Sequence, residues 1–273
     1  MEYFQLIQTK IEPLLPVDAS VASAWTLPSL IIHSFSPTVI LTYAFLCMSV
    51  FILLALEFVN WGTMKIGDVK GKTFPIQAAH LDSLRPIDIF FITFNKLSIP
   101  PFFLTYTLFS STLPSTSSTL LSPLYQLPLL FLLYDLFYSL FHRTLHLQSI
   151  YHLIHKHHHT QKSPTRGNLD AVNVHPIEFW SGEWLHLGVV YLLSLTSIEC
   201  SAITSLTFLT FGGVLASLNH TRYDLCIYIF AIKVYDPKYH DLHHRVPRRN
   251  YGQYLMIWDY ALGTAKEWSK GKE

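Results

Sequence analysis

From Val39 to Phe58 the chain is almost wholly apolar, VILTYAFLCMSVFILLALEF, with Glu57 the one charge, near its end. About 20 such residues cross a bilayer as a helix, so this run predicts a first transmembrane helix. Residues 1–38 precede it as an irregular or interfacial lead-in with four prolines, Pro13, Pro16, Pro28 and Pro37. A polar loop with Lys65, Lys70, Lys72 and Pro75 follows it. Residues 87–110 are apolar again but contain Asn95, Lys96 and Pro100-Pro101. They predict a kinked span or a broken hairpin, because neighbouring groups can satisfy carbonyls that proline frees. STLPSTSS at 111–118 reads as a turn. A third apolar run covers 119–141. A last block, 184–218, is interrupted by Glu199-Cys200 and predicts a tight helical hairpin or one span plus a re-entrant piece.

Composition agrees with this pattern. Of 273 residues, 50% are hydrophobic and 14% charged, against about 25% charged in an average soluble domain. The predicted fold is an all-α integral membrane protein of four to five transmembrane or re-entrant helices, capped by a histidine-lined helical region. A formal net charge of +1 leaves no footprint for nucleic acid. Cys47, Cys200 and Cys226 are too far apart for a disulfide framework or a CxxC site and read as buried free thiols. Lys10, Glu12 and Asp18 interrupt any cleavable signal. The sequon Asn219-His220-Thr221 abuts an apolar span and is discounted.

Charge sets the topology. The loop at 59–86, the segment at 143–183 and the chain from Arg222 onward hold most of the lysines and arginines. By the positive-inside rule these three face the cytosol. The connectors at 111–118 and around Glu199 then lie opposite, and every histidine group falls at one membrane face.

The stretch from Asp135 to His159, DLFYSLFHRTLHLQSIYHLIHKHHH, carries seven of the fifteen histidines. Read as helix, Asp135, Tyr138, His142 and His146 line one face. His155, His158 and His159 form an HxxHH set within one narrow stripe. A second HxxHH stands at His240, His243 and His244. Imidazoles so spaced converge on one point and can hold transition metals. One HxxxH pair alone says little; three sets on one side of a membrane are not a solvated polyhistidine tract. His157 points off the His155/His159 face and is predicted not to ligate. His152 stands behind the ligands or is structural, and His33 is isolated. Asp135, an ionisable group inside a span and therefore costly, is predicted to orient a metal-bound imidazole. His186 closes an ExxH string, but a carboxylate-bridged di-iron bundle needs a second such string and further glutamates. HExxH is absent.

HRTLH, HKHHH, NHTRYD and HDLHH followed by NYGQYLMIWDYALGT resemble the fatty acid hydroxylase/sterol desaturase superfamily over roughly residues 125–265, as does HPIE at His175–Glu178. The resemblance implies a membrane-embedded helical fold with two iron ions at a cytosol-facing centre, in the endoplasmic reticulum. It implies O2-dependent hydroxylation or desaturation of a lipid, either a sterol or a long acyl or sphingoid chain, with electrons from cytochrome b5 or a similar carrier. Its ligand boxes carry over to His142 and His146, to His155, His158 and His159, and to His240, His243 and His244. His220 matches the histidine of its NHT string and His175 that of HPxE. Asp224 stands near the place of a further histidine, as a ligand or behind one. On this resemblance residues 1–118 form the lead-in and first helices and 119–273 the catalytic domain.

The chemistry favours iron over zinc, because an imidazole site with open positions and no thiolate suits redox iron. Unactivated C–H bonds need an oxidant that side chains lack, and apolar walls would keep water from it. Two other classes compete: a catalytically silent member of the fold, and a metal transporter. Asp135, Lys96 and Glu199 are too few and scattered for a transport path. The chain has no cysteine set for an iron–sulfur cluster and no GxGxxG, and its histidines are committed to the boxes. Electrons must then come from a separate protein, for which Arg245, Arg248 and Arg249 offer a basic patch; lipid headgroups are their other use.

Overall fold

The computed structural model describes residues 37–70, 73–81, 83–113, 122–196, 198, 200–229 and 232–269. The lead-in with His33, most of the 111–118 turn and Glu199 lie outside these. Helices are α1 (Pro37–Lys70), α2 (Pro86–Ser111), α3 (Ser122–Leu145), α4 (Gln148–Tyr151), α5 (Asn168–Ala171), α6 (Pro176–Ser194), α7 (Ala202–Asn219), α8 (Pro237–Arg245) and α9 (Ile257–Ala261). A 3-10 turn covers His158–Thr160. Strands β1 (Ile227–Ile229) and β2 (Ile232–Tyr235) form one short antiparallel ribbon, with Ile227 opposite Tyr235.

Among the described residues, four helical stretches are long and apolar enough to cross a membrane: Thr38–Lys65, Pro86–Ser111, Pro123–Leu145 and Ala202–Asn219. The protein is an all-α integral membrane protein, as the apolar runs predict. The chain divides into two compact units, Met1–Val50 and Phe51–Glu273. In the first, α1 leaves Leu41, Tyr43 and Leu46 exposed. In the second, it leaves Phe51, Leu54 and Phe58 exposed.

Residues 86–111 are neither broken nor a hairpin: α2 runs on through Pro100 and Pro101. Two prolines forfeit two backbone bonds, whereas a hairpin would strip a whole turn of partners in apolar surroundings. The 184–218 block forms two helical arms, α6 and α7, each packed on α2 and α3. Its first arm, α6, starts back at Pro176, because Pro at N1 and Glu178 in the first turn suit a helix N-terminus. Its second arm begins at Ser201, whose hydroxyl accepts from the Thr204 amide at 3.1 Å.

The core gathers Phe102 and Tyr106 of α2, Leu130 and Tyr134 of α3, Val189 of α6 and Phe208 of α7. Several polar groups beside it are paired. The Tyr106 hydroxyl donates to the Ser205 carbonyl at 3.0 Å, and Thr204 donates to Gln126 Oε1 at 2.8 Å. Such bonds average about 0.6 kcal/mol in a membrane, so close packing carries more of the bundle's stability.

At one end of these helices the charge-rich segments meet. Phe74 N donates to Arg222 O at 3.0 Å, His80 Nδ1 to Ser163 O at 3.0 Å, and Gln77 Nε2 to Ser269 O at 3.2 Å. The segments that the positive-inside rule groups on one side are therefore neighbours in space.

Candidate metal centre

Nine of the predicted ligands converge at that end. His142, His146, His155, His159 and His243 form one group, and His158, His220, His240 and His244 a second. Within each group the candidate ligand atoms lie within 4.8 Å of one another. Eight of the nine rings are buried, and His146 is partly open.

The local structure that achieves this is not helical at both histidine sets of 135–159, as their spacing predicts. Helix α3 ends at Leu145, and Leu147 is extended (φ −64°, ψ 136°). After α4 the chain passes through turns to the 3-10 segment at His158. Tertiary partners override the helical periodicity here: His155 is held by Glu178 of α6 and His157 by Asn173, each at 2.8 Å. The two HxxHH sets are thereby split. His155 and His159 join the first group and His158 the second; His240 and His244 join the second and His243 the first.

Hydrogen bonds fix the tautomers. His142 Nδ1–H donates to Tyr251 O at 2.9 Å, His243 Nδ1–H to Arg249 O at 2.7 Å, and His220 Nδ1–H to Ala216 O at 2.8 Å. His155 Nδ1–H donates to Glu178 Oε1 at 2.8 Å. A neutral imidazole that donates through Nδ1 presents a bare lone pair at Nε2. Within each group the Nε2 atoms face one another. His142 to His155 and His155 to His159 are 3.0 Å, and His159 to His243 is 3.1 Å. His146 to His243 is 3.3 Å. In the second group, His220 to His240 and His240 to His244 are 3.1 Å, and His158 to His220 is 3.4 Å. Between His142 and His155 no proton is available, so two lone pairs repel unless a cation lies between them. Ligands at right angles to tetrahedral angles around an ion, each about 2.1 Å from it, stand about 3.0–3.4 Å apart. The donor set thus fits metal ions, and with nitrogen ligands and no thiolate it fits iron.

Burial keeps the rings in their ligating form. Loss of solvent, with a smaller contribution from neighbouring imidazoles, pushes His146 down to about 2 and His159 to about 3. The same causes hold His158, His240, His243 and His244 well below the ordinary histidine value. Neutral imidazoles need not release a proton before binding metal.

Other predicted residues lie elsewhere. His175 stands outside both groups: it caps α6, its Nδ1 accepts from the Ile177 amide at 3.2 Å, and its ring sits against Phe91. Asp135 bonds no imidazole. Its oxygens accept the backbone N–H groups of Gln253, Tyr254 and Leu255, because burial beside that loop leaves it unpaired amides as partners. The carboxylate that orients an imidazole is Glu178, visible in the sequence only as the last residue of HPIE. Asp259 accepts from the Tyr251 and Gly252 amides, each at 2.8 Å. Both aspartates therefore secure the loop that offers the Tyr251 carbonyl to His142. Asp224 is exposed and paired with Lys238 at 2.5 Å. His152 is exposed, and His157 and His186 lie outside both groups. Asn219 of the discounted sequon is buried and donates to Gln253 O at 2.5 Å.

Comparison with known proteins agrees with the geometry. The chain is 29% identical over 142 residues to Protein CER1-like 2 of Arabidopsis thaliana, which is 50% of this chain and 23% of that protein. It is 31% identical over 164 residues to the sphingolipid C4-hydroxylase sur2 of Schizosaccharomyces pombe, 55% of this chain and 51% of that one. It is 30% identical over 144 residues to the methylsterol monooxygenase erg25A of Aspergillus fumigatus, 51% of this chain and 46% of that one. The matched stretch thus spans from about a quarter to about half the length of these relatives. No solved structure matches the chain. The family model for fatty acid hydroxylase matches residues 127–264, half of the chain and all nine clustered histidines, and the protein belongs to that family.

Proposed function

We propose that this protein is a membrane-bound di-iron oxygenase that hydroxylates or desaturates a lipid, a sterol or a long acyl or sphingoid chain. It uses O2 and electrons supplied from outside. The observation that carries the reading is the convergence of nine imidazoles in two adjoining groups, with the bare Nε2 atoms of His142 and His155 opposed, an arrangement that calls for cations. The names of the relatives, a sphingolipid hydroxylase and a methylsterol monooxygenase, support a lipid substrate. We assign one iron to His142, His146, His155, His159 and His243 and the other to His158, His220, His240 and His244. His175 is left out of the set. The catalytic part is taken as residues 119–273, with α2 contributing to its core.

Iron bound there would supply the O2-derived oxidant that a C–H bond requires. The chain's own groups do the rest. The carbonyls of Tyr251, Arg249 and Ala216 and the carboxylate of Glu178 hold four rings with Nε2 forward. The apolar bundle beneath gives a lipid access from the bilayer and keeps water out. By the positive-inside rule the centre faces the cytosol, in our reading at the endoplasmic reticulum, where cytochrome b5 or a similar carrier would reach it. Of the basic residues after HDLHH, Arg245 is tied to Asp241 at 3.2 Å. Arg248 and Arg249 are exposed, as is Arg143 at the end of α3. These three make the docking surface we assign.

The test is metal content of the purified protein together with lipid profiles of cells with and without it. Bound iron and a changed lipid profile that His243→Ala abolishes support the oxygenase. No bound metal and an unchanged profile would sink it and favour a silent, structural member.

A further inference from the structure

A ladder of aromatic rings runs from the five-histidine group into the bundle. The Tyr138 ring lies 5.3 Å from that of His142, centroid to centroid. Tyr134 stacks on Tyr138 at 5.5 Å and 20°, and Tyr254 stacks on Tyr134 at 5.2 Å and 26°. The ladder ends in a hydrogen bond. His186 donates Nδ1–H to Gly182 O at 3.1 Å, which leaves its Nε2 bare, and the Tyr254 hydroxyl donates to that atom at 3.1 Å. Both side chains are buried. Gly212 makes room for the pair: a Cβ there would lie 2.8 Å from the Tyr254 oxygen and 3.1 Å from His186 Nε2. Apolar packing alone would need neither the polar bond nor the gap that admits it.

A phenol gives up an electron readily only when its proton can leave at the same moment. A neutral imidazole at hydrogen-bond distance is the side chain suited to take that proton. We propose that Tyr254 and His186 form a proton-coupled redox relay, joined to the metal centre through Tyr134 and Tyr138. The relay drains an oxidising equivalent away from the histidine ligands when no lipid is in place. This rests on the di-iron reading above. One electron leaves the Tyr254 ring, passes along Tyr134 and Tyr138, and reduces by one equivalent the iron centre that O2 has oxidised. The Tyr254 O–H bond breaks and an N–H bond forms at His186 Nε2, leaving a neutral tyrosyl radical and an imidazolium. An electron from the external carrier, with return of the proton, restores the pair.

The test loads the full-length protein with Fe(II) in detergent, admits O2 without lipid, freeze-quenches the sample and records its electron paramagnetic resonance spectrum. Iron content and O2 consumption are measured on each variant. The wild type should show a tyrosyl signal. Tyr254→Phe, which keeps the ring stack, should lose it at unchanged iron content. His186→Gln should lose it as well, since an amide can accept the hydrogen bond but cannot keep the proton. A wild type that holds iron and consumes O2 yet shows no tyrosyl signal overturns the relay alone, as does a signal that survives in Tyr254→Phe. A wild type that takes up no iron overturns the di-iron reading, and the relay falls with it.

Discussion

His142 and His155 point their Nε2 atoms at each other across 3.0 Å, although each has given its ring proton to a different partner. Tyr251 O takes one and Glu178 the other. The contact is repulsive in the bare protein and becomes attractive when a cation sits against both nitrogens. Metal should therefore stabilise the fold: at a free concentration one hundred times Kd the gain is about 2.7 kcal/mol.

The division of the HxxHH sets can be read in metal stoichiometry. His243→Ala should weaken the ion of the five-histidine group, and His244→Ala, one residue on, the ion of the other. On the two-iron reading each variant should retain one of two tightly held metals, and each should lose lipid product. Cobalt titration followed by optical absorption checks this. If both variants perturb the same ion, the assignment of ligands to groups is wrong.

Glu178 and Asp135 are both buried carboxylates, but only Glu178 touches a ligand ring. Glu178→Ala should lower metal affinity about 10–100-fold. Asp135→Asn should act on the loop at 253–255, because an amide offers fewer acceptors for its three backbone donors. Its cost should show as lost thermal stability, on the order of 1–3 kcal/mol, with a smaller loss of metal affinity. Metal titration and thermal melting of the two variants separate these effects, and equal loss of affinity would contradict the assignment.

His157 stands apart from both groups but is not idle. Its Nε2 is 2.8 Å from Asn173 Oδ1 and 3.1 Å from the buried carboxylate of Asp88, and its ring packs against Phe91. His157→Ala should leave metal stoichiometry and product per folded protein unchanged. It should lower stability by about 1–3 kcal/mol, because Asp88 loses a buried partner. Melting curves alongside metal analysis decide; loss of a metal ion would place His157 among the ligands.

Acid should unfold the metal-free protein early. The unfolded chain takes up histidine protons near pH 6.5, whereas the folded chain holds His146 at about 2 and His159 at about 3. Between those values the unfolded state binds more protons, so stability falls as pH falls. The slope is at most about 1.4 kcal/mol per pH unit for each such ring. Above about pH 6.5 both states are neutral and these rings contribute no slope. Bound metal should move the decline to lower pH, since a ligated imidazole resists protonation. Melting temperatures of metal-free and iron-loaded protein across this range check it, and a flat profile for the metal-free form would refute it.

The amino-acid sequence by itself determined that the chain enters a membrane and which residue types it brings to one face. Runs such as Val39–Phe58 can be buried only in lipid or in protein, and the basic segments must lie on one side. The i, i+4 pairs His142/His146, His155/His159 and His240/His244 also remain together, since one helical turn or its equivalent keeps such neighbours close. Tertiary structure decided the rest. Whether His158 joins His159 depends on a turn and a 3-10 segment that local periodicity does not encode. Whether Pro100-Pro101 breaks α2 depends on what surrounds it. The groups that hold the rings are backbone carbonyls at Ala216, Arg249 and Tyr251, which every residue possesses, so no side-chain pattern marks them. Asp135 showed its cost in the sequence but not its partner, because a carboxylate placed next to unpaired amides binds them before it can reach an imidazole.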